Sequence, residues 1–440
     1  MNATPVSRAI VDEKIAQSGL KNVGRASIRE IRALINEIEK ADGTTYIRME
    51  MGIPGLPAAQ IGIDAEKAAL DSGCASLYPA IEGIPELKVE ISRFVKLFVD
   101  LEVNPRGCIP CTGSTSGSFI TFLVAGRMRP ERDTVLFLDP GFPVHKQQLN
   151  VLGIKHRSLD VYEHRGEKLR PALEAILSEG NISCILYSNP NNPTWICFTD
   201  TELRIIGELA STHDVVVMED LAYFTMDFRK DYSIPGRPPF QPSVGKYTDN
   251  YILMISSSKA FSYAGQRVGM LAISDALFDR EVPTLSRYFT QTQFGRAMIY
   301  GSAYAVSAGV THSSQYGLVA LLKATNDGLY RFIDEVKVYG ERARIMKKDF
   351  TDNGFYIVYD KDEDEPIADG FYFTVAYPGM SGEELIAELM YYGISAISLS
   401  NTGSERLEGI RACVSKVADE QLPDLRERLR LFHEHHPIAG

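Results

Sequence analysis

The chain is expected to be an α/β protein: a large domain with a mostly parallel sheet covered by helices, followed by a smaller α+β domain. Three observations carry this. Short apolar runs in the middle of the chain alternate with segments of helical period, the pattern of a parallel sheet with helical crossovers. The last third loses that alternation. At 440 residues the chain is also too long for one small core. The division expected is an N-terminal segment, 1–50, packing with the small domain, then a large domain, 51–315, and a small domain, 316–440.

In chain order, a helix is expected from about Ser27 to Lys40. A second runs over Pro85–Asp100, where proline suits the first turn and Leu87, Ile91, Phe94, Val95 and Phe98 make one apolar face. A helical run, Phe119–Ala125, follows the small residues Cys111 to Ser118. Strands are expected at Thr134–Asp139, Ile182–Asn189, Val215–Leu221, Tyr251–Ser257 and Val268–Ser274. Between them Thr199–His213 repeats Leu203, Ile206, Leu209 and Ala210 at helical spacing. Beyond lie a long helical stretch, about Ser313 to Asp352, an acidic loop, Asp360–Asp369, a strand, Phe371–Tyr377, and a helix, Ser381–Tyr392. Two short strands, Ile394–Leu399 and Gly409–Val414, and a helix, Asp419–His435, complete the chain.

The net charge of −11 argues against a nucleic-acid surface. No stretch approaches the apolar length of a membrane span, and Met1–Arg8 lacks the apolar centre of a signal peptide. A cytoplasmic protein is expected. Cys108-Ile-Pro-Cys111 has redox or metal spacing, but no second pair completes a zinc site, so no metal is expected. His433-Glu-His-His436 reads as a solvated tail.

The chemistry begins at Lys259, which ends the run Tyr251-Ile-Leu-Met-Ile-Ser-Ser-Ser-Lys259. A lysine at the end of a buried strand gives up its proton more easily than a solvated one, and its free amine can attack a carbonyl. The adjoining serines and Arg267 are groups that hold a phosphate. Lysine, serines and arginine together suggest pyridoxal phosphate.

Ligands of open α/β sheets bind beyond the carboxyl ends of the strands. Those ends lead into Pro140-Gly-Phe-Pro-Val-His145, Pro190-Asn-Asn-Pro-Thr194, Glu219-Asp-Leu-Ala-Tyr223 and Ser258-Lys259. One edge thus gathers an aromatic, an asparagine, an aspartate, a tyrosine and a lysine, which a protonated pyridine ring with a 3-oxygen would need. Upstream, Cys111-Thr-Gly-Ser-Thr-Ser-Gly-Ser118 opens a helix, where exposed N–H groups and the helix dipole attract an anion.

Together these segments resemble the fold-type I, class I/II aminotransferases of the aspartate aminotransferase superfamily, from about Met51 to Arg411. The resemblance implies pyridoxal 5'-phosphate as cofactor, amino acid and 2-oxo acid as substrates, and a homodimer with shared sites. Gly113, Ser114 and Thr115 match its phosphate loop, with Ser256, Ser258 and Arg267 as further phosphate ligands. Tyr78, in Tyr78-Pro-Ala-Ile-Glu-Gly, matches a tyrosine reaching the neighbouring subunit's phosphate. Phe142 matches the aromatic stacked on the ring, Asn192 and Tyr223 the partners of the 3-oxygen, Asp220 the partner of the ring nitrogen, and Lys259 the Schiff-base lysine. Arg411 matches the arginine holding the substrate α-carboxylate; Asn192 and Ile53 are the other candidate substrate-binding residues. His145 is a candidate for orienting Asp220, with a packed or solvated histidine equally open.

Two departures stand out. Trp195 follows Thr194 where the family usually has glycine, which suits either a packing role or a narrowed pocket. The segment Ser400 to Glu408, ahead of Arg411, lacks the usual proline-glycine and phenylalanine pattern. A carbon–sulfur β-lyase on the same scaffold is the alternative activity, since one Cα carbanion serves both reactions. A non-enzymatic regulator carrying this domain is disfavoured, because no basic recognition helix precedes it. A dicarboxylate substrate would call for a second arginine; Arg25 and Arg296 are available.

Overall fold

The computed structural model describes residues 3–438. The chain forms two compact units: a larger one of Leu56–Asn191 and Cys197–Val336, and a smaller one of the residues up to Gly55, Asn192–Ile196, and those from Lys337 onward.

The larger unit is built on seven strands: β1 (Cys108–Cys111), β2 (Thr134–Asp139), β3 (Lys155–Asp160), β4 (Ile182–Ser188), β5 (Val216–Leu221), β6 (Tyr251–Ser256) and β7 (Gly269–Ile273). Their order is β1-β7-β6-β5-β4-β2-β3. β7 runs antiparallel to β1 and β6, and the remaining pairs are parallel. Every residue of the strands from β4 to β7 is buried, as covering both faces of a parallel sheet requires. Hence these strands read as continuous apolar runs.

β3 was not among the expected strands. It is an edge strand, Lys-His-Arg-Ser-Leu-Asp, mostly open to solvent, and charge on an edge discourages further pairing. β1 was not expected either, because its four residues were read as a cysteine motif. Within a strand Cys108 and Cys111 point to opposite faces; burial pushes both thiols up to about 12, so they pack rather than react.

One face of the sheet carries the helix Ser114–Ala125, with Val135, Phe137, Leu186, Met218, Met254 and Leu271 packed against Ile120, Phe122 and Met298. An aromatic cluster holds another part of the unit: Phe94 stands 4.9 Å from Phe224, and Phe261 4.8 Å from Phe332. The expected helix Ser313–Asp352 is three helices, His312–Asn326, Phe332–Val336 and Val338–Asp352. The first break follows from Gly328, whose φ of +72° a helix cannot continue through. The boundary expected at 315/316 therefore falls inside His312–Asn326, which packs on the helices Gln60–Asp71 and Pro85–Val99 of the larger unit.

In the smaller unit, Ser27 and Glu30 close a capping box on the helix Ile28–Asp42, which buries Ile31, Leu34, Ile35 and Ile38. An earlier helix, Arg8–Ser18, buries only Val11 and so has no apolar stripe to announce it. Four short antiparallel strands, β8 (Tyr356–Ile357), β9 (Tyr372–Ala376), β10 (Ile397–Ser398) and β11 (Ile410–Cys413), lie in the order β10-β11-β9-β8. The strand expected at Ile394–Leu399 is divided: Ile394–Ser395 pairs with Ile47–Arg48, and only β10 joins β11.

The C-terminal histidines are not a solvated tail. His433 Nδ1 lies 2.8 Å from the Tyr377 hydroxyl, His435 Nδ1 2.9 Å from that of Tyr392, and the His436 ring stacks on Phe432 at 4.4 Å. Among the described residues no group of three or more His, Cys, Asp or Glu could hold a metal ion, and no helix is long and apolar enough to cross a membrane.

Candidate active site

Strand register assembles the first part of the site. Cys111 on β1 pairs with Gly269 on β7, and Gly269 with Ser256 at the end of β6. Asp220 on β5 pairs with Met254 on β6 and with Ser188 on β4. The segments carrying Gly113, Arg267, Lys259 and Asp220 therefore leave the sheet along one edge.

Ser256 caps the one-turn helix Ser257–Ala260, its hydroxyl accepting the Ser258 N–H at 3.1 Å. Lys259 sits half-buried in that turn. Arg267 donates from Nη1 to the Ala264 carbonyl at 2.9 Å. Its Nη2 would lie 2.4 Å from a Cβ built on Gly113, where φ is +72°. Only glycine satisfies both the left-handed backbone and this close approach. Gly113 is also the N-cap of Ser114–Ala125, so Ser114 and Thr115 supply first-turn N–H groups beside a guanidinium. Gln148 ties this turn down, donating to the Thr115 carbonyl at 2.7 Å.

Asp220 is buried, and its carboxylate accepts the Ala222 N–H at 3.1 Å. Burial, opposed only by that bond, pushes its pKa up to about 7. His145 is buried as well, which lowers it to about 4 and keeps the imidazole neutral. No direct hydrogen bond joins the two. Both line a cavity of about 10 Å³, together with Asp139, Phe142, Tyr187 and Ser188. Phe142 meets the His145 ring edge-on at 5.6 Å, and Tyr223 is buried just beyond β5.

The smaller unit holds a second constellation. Arg411, on β11, is 2 % exposed. It donates from Nη1 to Asn192 Oδ1 at 3.2 Å and from Nη2 to the Glu50 carbonyl at 2.6 Å, while Nε has no partner. Both acceptors are neutral; the Glu50 carboxylate is occupied by Arg48 and Ser395. The guanidinium lies 4.5 Å over the Tyr372 ring. Tyr372 was not anticipated. Its signal is one of register: Arg411 faces Thr374 across β9, so Tyr372 is its diagonal neighbour on the same face.

The other expected residues have different surroundings. Tyr78 is 96 % exposed. Ile53 is half-exposed, and its carbonyl accepts the Ser415 hydroxyl at 2.5 Å. Arg25 is paired with Glu383 at 2.6 Å, and Arg296 donates to Gln291 at 3.0 Å.

The sequence matches the family described as Aminotransferase class I and II over residues 52–429. A probable aspartate aminotransferase of Methanocaldococcus jannaschii is 26 % identical over 352 residues, 79 % of this chain and 84 % of that protein. The LL-diaminopimelate aminotransferase of Natranaerobius thermophilus is 26 % identical over 328 residues, 73 % of this chain and 76 % of that one. Among solved structures, an alanine aminotransferase from Pyrococcus furiosus superposes with a TM-score of 0.75 at 20 % identity, covering 94 % of this chain and 98 % of its own.

Proposed function

Since the chain belongs to the class I and II aminotransferases, a pyridoxal-phosphate-dependent family, we propose which of its residues carry amino transfer between an amino acid and a 2-oxo acid. The residues present suit that cofactor. Asp220 is a buried carboxylate held toward neutrality only for want of a cationic partner, which a protonated ring nitrogen is. Gly113 leaves open the space beside Arg267 that any side chain would fill.

When bound, the cofactor supplies an electron sink for the substrate Cα carbanion. Ser114, Thr115, Ser256, Ser258 and Arg267 would hold its phosphate, Asp220 its ring nitrogen, Asn192 and Tyr223 its 3-oxygen, and Phe142 would pack on the ring. Lys259 would be the attachment point of the cofactor, and its amine the base that takes the proton from the substrate Cα and the acid that later delivers it. Arg411 holds the α-carboxylate and so fixes which bond at Cα reacts.

The observation that carries this assignment is the buried Arg411 guanidinium with no carboxylate beside it. Leaving a buried charge uncompensated costs roughly 3–5 kcal/mol, and an anionic substrate removes that cost. The reading is tested by mixing the holoenzyme, without any oxo acid, with each of the twenty L-amino acids of proteins. The expected result is loss of the visible cofactor band and release of one oxo acid per subunit for the donor. Continuous release of pyruvate and ammonia would instead mark a β-lyase and overturn it.

We further propose a homodimer. Leu77, Tyr78 and Tyr304 are 62 %, 96 % and 56 % exposed, and the Leu77 carbonyl lies 3.2 Å from His312 Nδ1, where it can accept a hydrogen bond from the ring. Large apolar side chains left exposed favour an interface, and Tyr78 would serve the phosphate of the second copy. Sedimentation at assay concentration should give a dimer; an active monomer would refute this.

A further inference from the structure

Trp195 is the only tryptophan in the chain, and its φ of +69° is one that glycine adopts at no cost. For any other residue the Cβ crowds the following carbonyl, so such positions persist where the surroundings over-determine them, and they gather at functional sites. The indole is wholly buried. A Cβ on Gly370 would lie 1.9 Å from indole Cε2, and one on Gly52 1.9 Å from the Tyr372 hydroxyl. Both backbones are drawn tight against the two rings.

The rings meet edge to face, centroids 6.2 Å apart at 66°, within the range of a favourable aromatic pair. Tyr372 turns its own face to Arg411. Tyr372 thus touches both the buried indole and the buried guanidinium.

The two tethers of that guanidinium, to Asn192 and Glu50, act on Nη1 and Nη2. N–H groups of arginine lie in the guanidinium plane, so these bonds fix its edge and leave it free to tilt about that edge. A ring against its face removes the tilt. A carboxylate bound through two parallel hydrogen bonds needs the plane fixed.

We propose that Tyr372 is the platform that sets the plane of Arg411, and that Trp195, packed edge to face with it, holds this platform in place. Both are then positioning residues for the substrate α-carboxylate. The inference rests on the assignment of Arg411 above.

The test measures KM and kcat of the holoenzyme for the donor found in the amino-acid panel, and kcat/KM for the same donor as its α-amide. Tyr372→Leu is expected to raise KM for the acid about 30-fold, the weight of a desolvated cation–π contact, and to shrink the preference for acid over amide by the same factor. Its kcat should change less than about 3-fold, because the platform serves binding rather than the transition state. Tyr372→Phe, which keeps the ring, should retain both KM and preference. Trp195→Gly should shift them in the same direction as Tyr372→Leu, and Trp195→Phe should recover most of the loss.

An unchanged KM and preference in both Tyr372→Leu and Trp195→Gly would overturn the proposal. Should the leucine variant fail to fold, Tyr372→Met removes the ring face with a flexible side chain that adapts to the space left and gives the same reading. Arg411→Leu separates the premise from the inference. If it leaves the preference intact, Arg411 is misassigned; if it abolishes the preference while Tyr372→Leu keeps it, the platform is wrong.

Discussion

Lys259→Ala is expected to lower kcat by about 10⁴-fold or more, because one side chain both anchors the cofactor and moves the substrate proton. The fold should survive: Lys259 lies within a one-turn helix and is half-buried, outside the strand core, so the melting temperature should stay within a few degrees. Lys259→Arg should lose as much activity, since a guanidinium keeps the charge but cannot act as nucleophile or base at neutral pH. A reading independent of turnover is available. Borohydride treatment of the holoenzyme, followed by digestion, should leave the cofactor mass on the peptide containing Lys259. Its recovery on another lysine, or near-normal turnover in Lys259→Ala, would remove this residue from the chemistry.

How much of this was legible in the sequence depended on burial. The strands around Asp220 and Lys259 are covered on both faces, so each is an unbroken apolar run ending in polar residues, and the site could be read off those ends. β3 is an exposed edge and left no hydrophobic signal. Register between distant strands leaves none either, which is why Tyr372 went unseen although Arg411 did not. Trp195 was visible as a departure from glycine, but its meaning lies in Gly370 and Gly52, far away in sequence and close in space. Asn192 was assigned to the cofactor from its motif; its hydrogen bond to Arg411 depends on chain path, which spacing does not encode.

Asp220→Asn should have opposite effects on activity and on stability. An amide cannot compensate a protonated ring nitrogen, and losing one such fixed electrostatic partner should cost about 10²–10³-fold in kcat. The cofactor-free protein should respond differently. Burial raises the Asp220 carboxyl to about 7 in the folded state, against about 3.9 in an unfolded chain. The folded state then holds the proton more tightly, so the contribution is full below about pH 4 and is lost as pH rises through 7. Above pH 7 the native protein carries a buried, ionised carboxylate whose cost is on the order of a few kcal/mol. Asparagine never ionises. Cofactor-free Asp220→Asn should therefore melt higher than wild type at pH 8 and equally at pH 4, while His145, lowered to about 4, weakens both proteins alike as pH falls below 6.5. With cofactor bound the wild type regains its counter-charge, so the advantage of the variant at pH 8 should shrink or reverse. An advantage of equal size at pH 4 and pH 8 would mean that Asp220 titrates normally, and the reason for placing a cation against it would be gone.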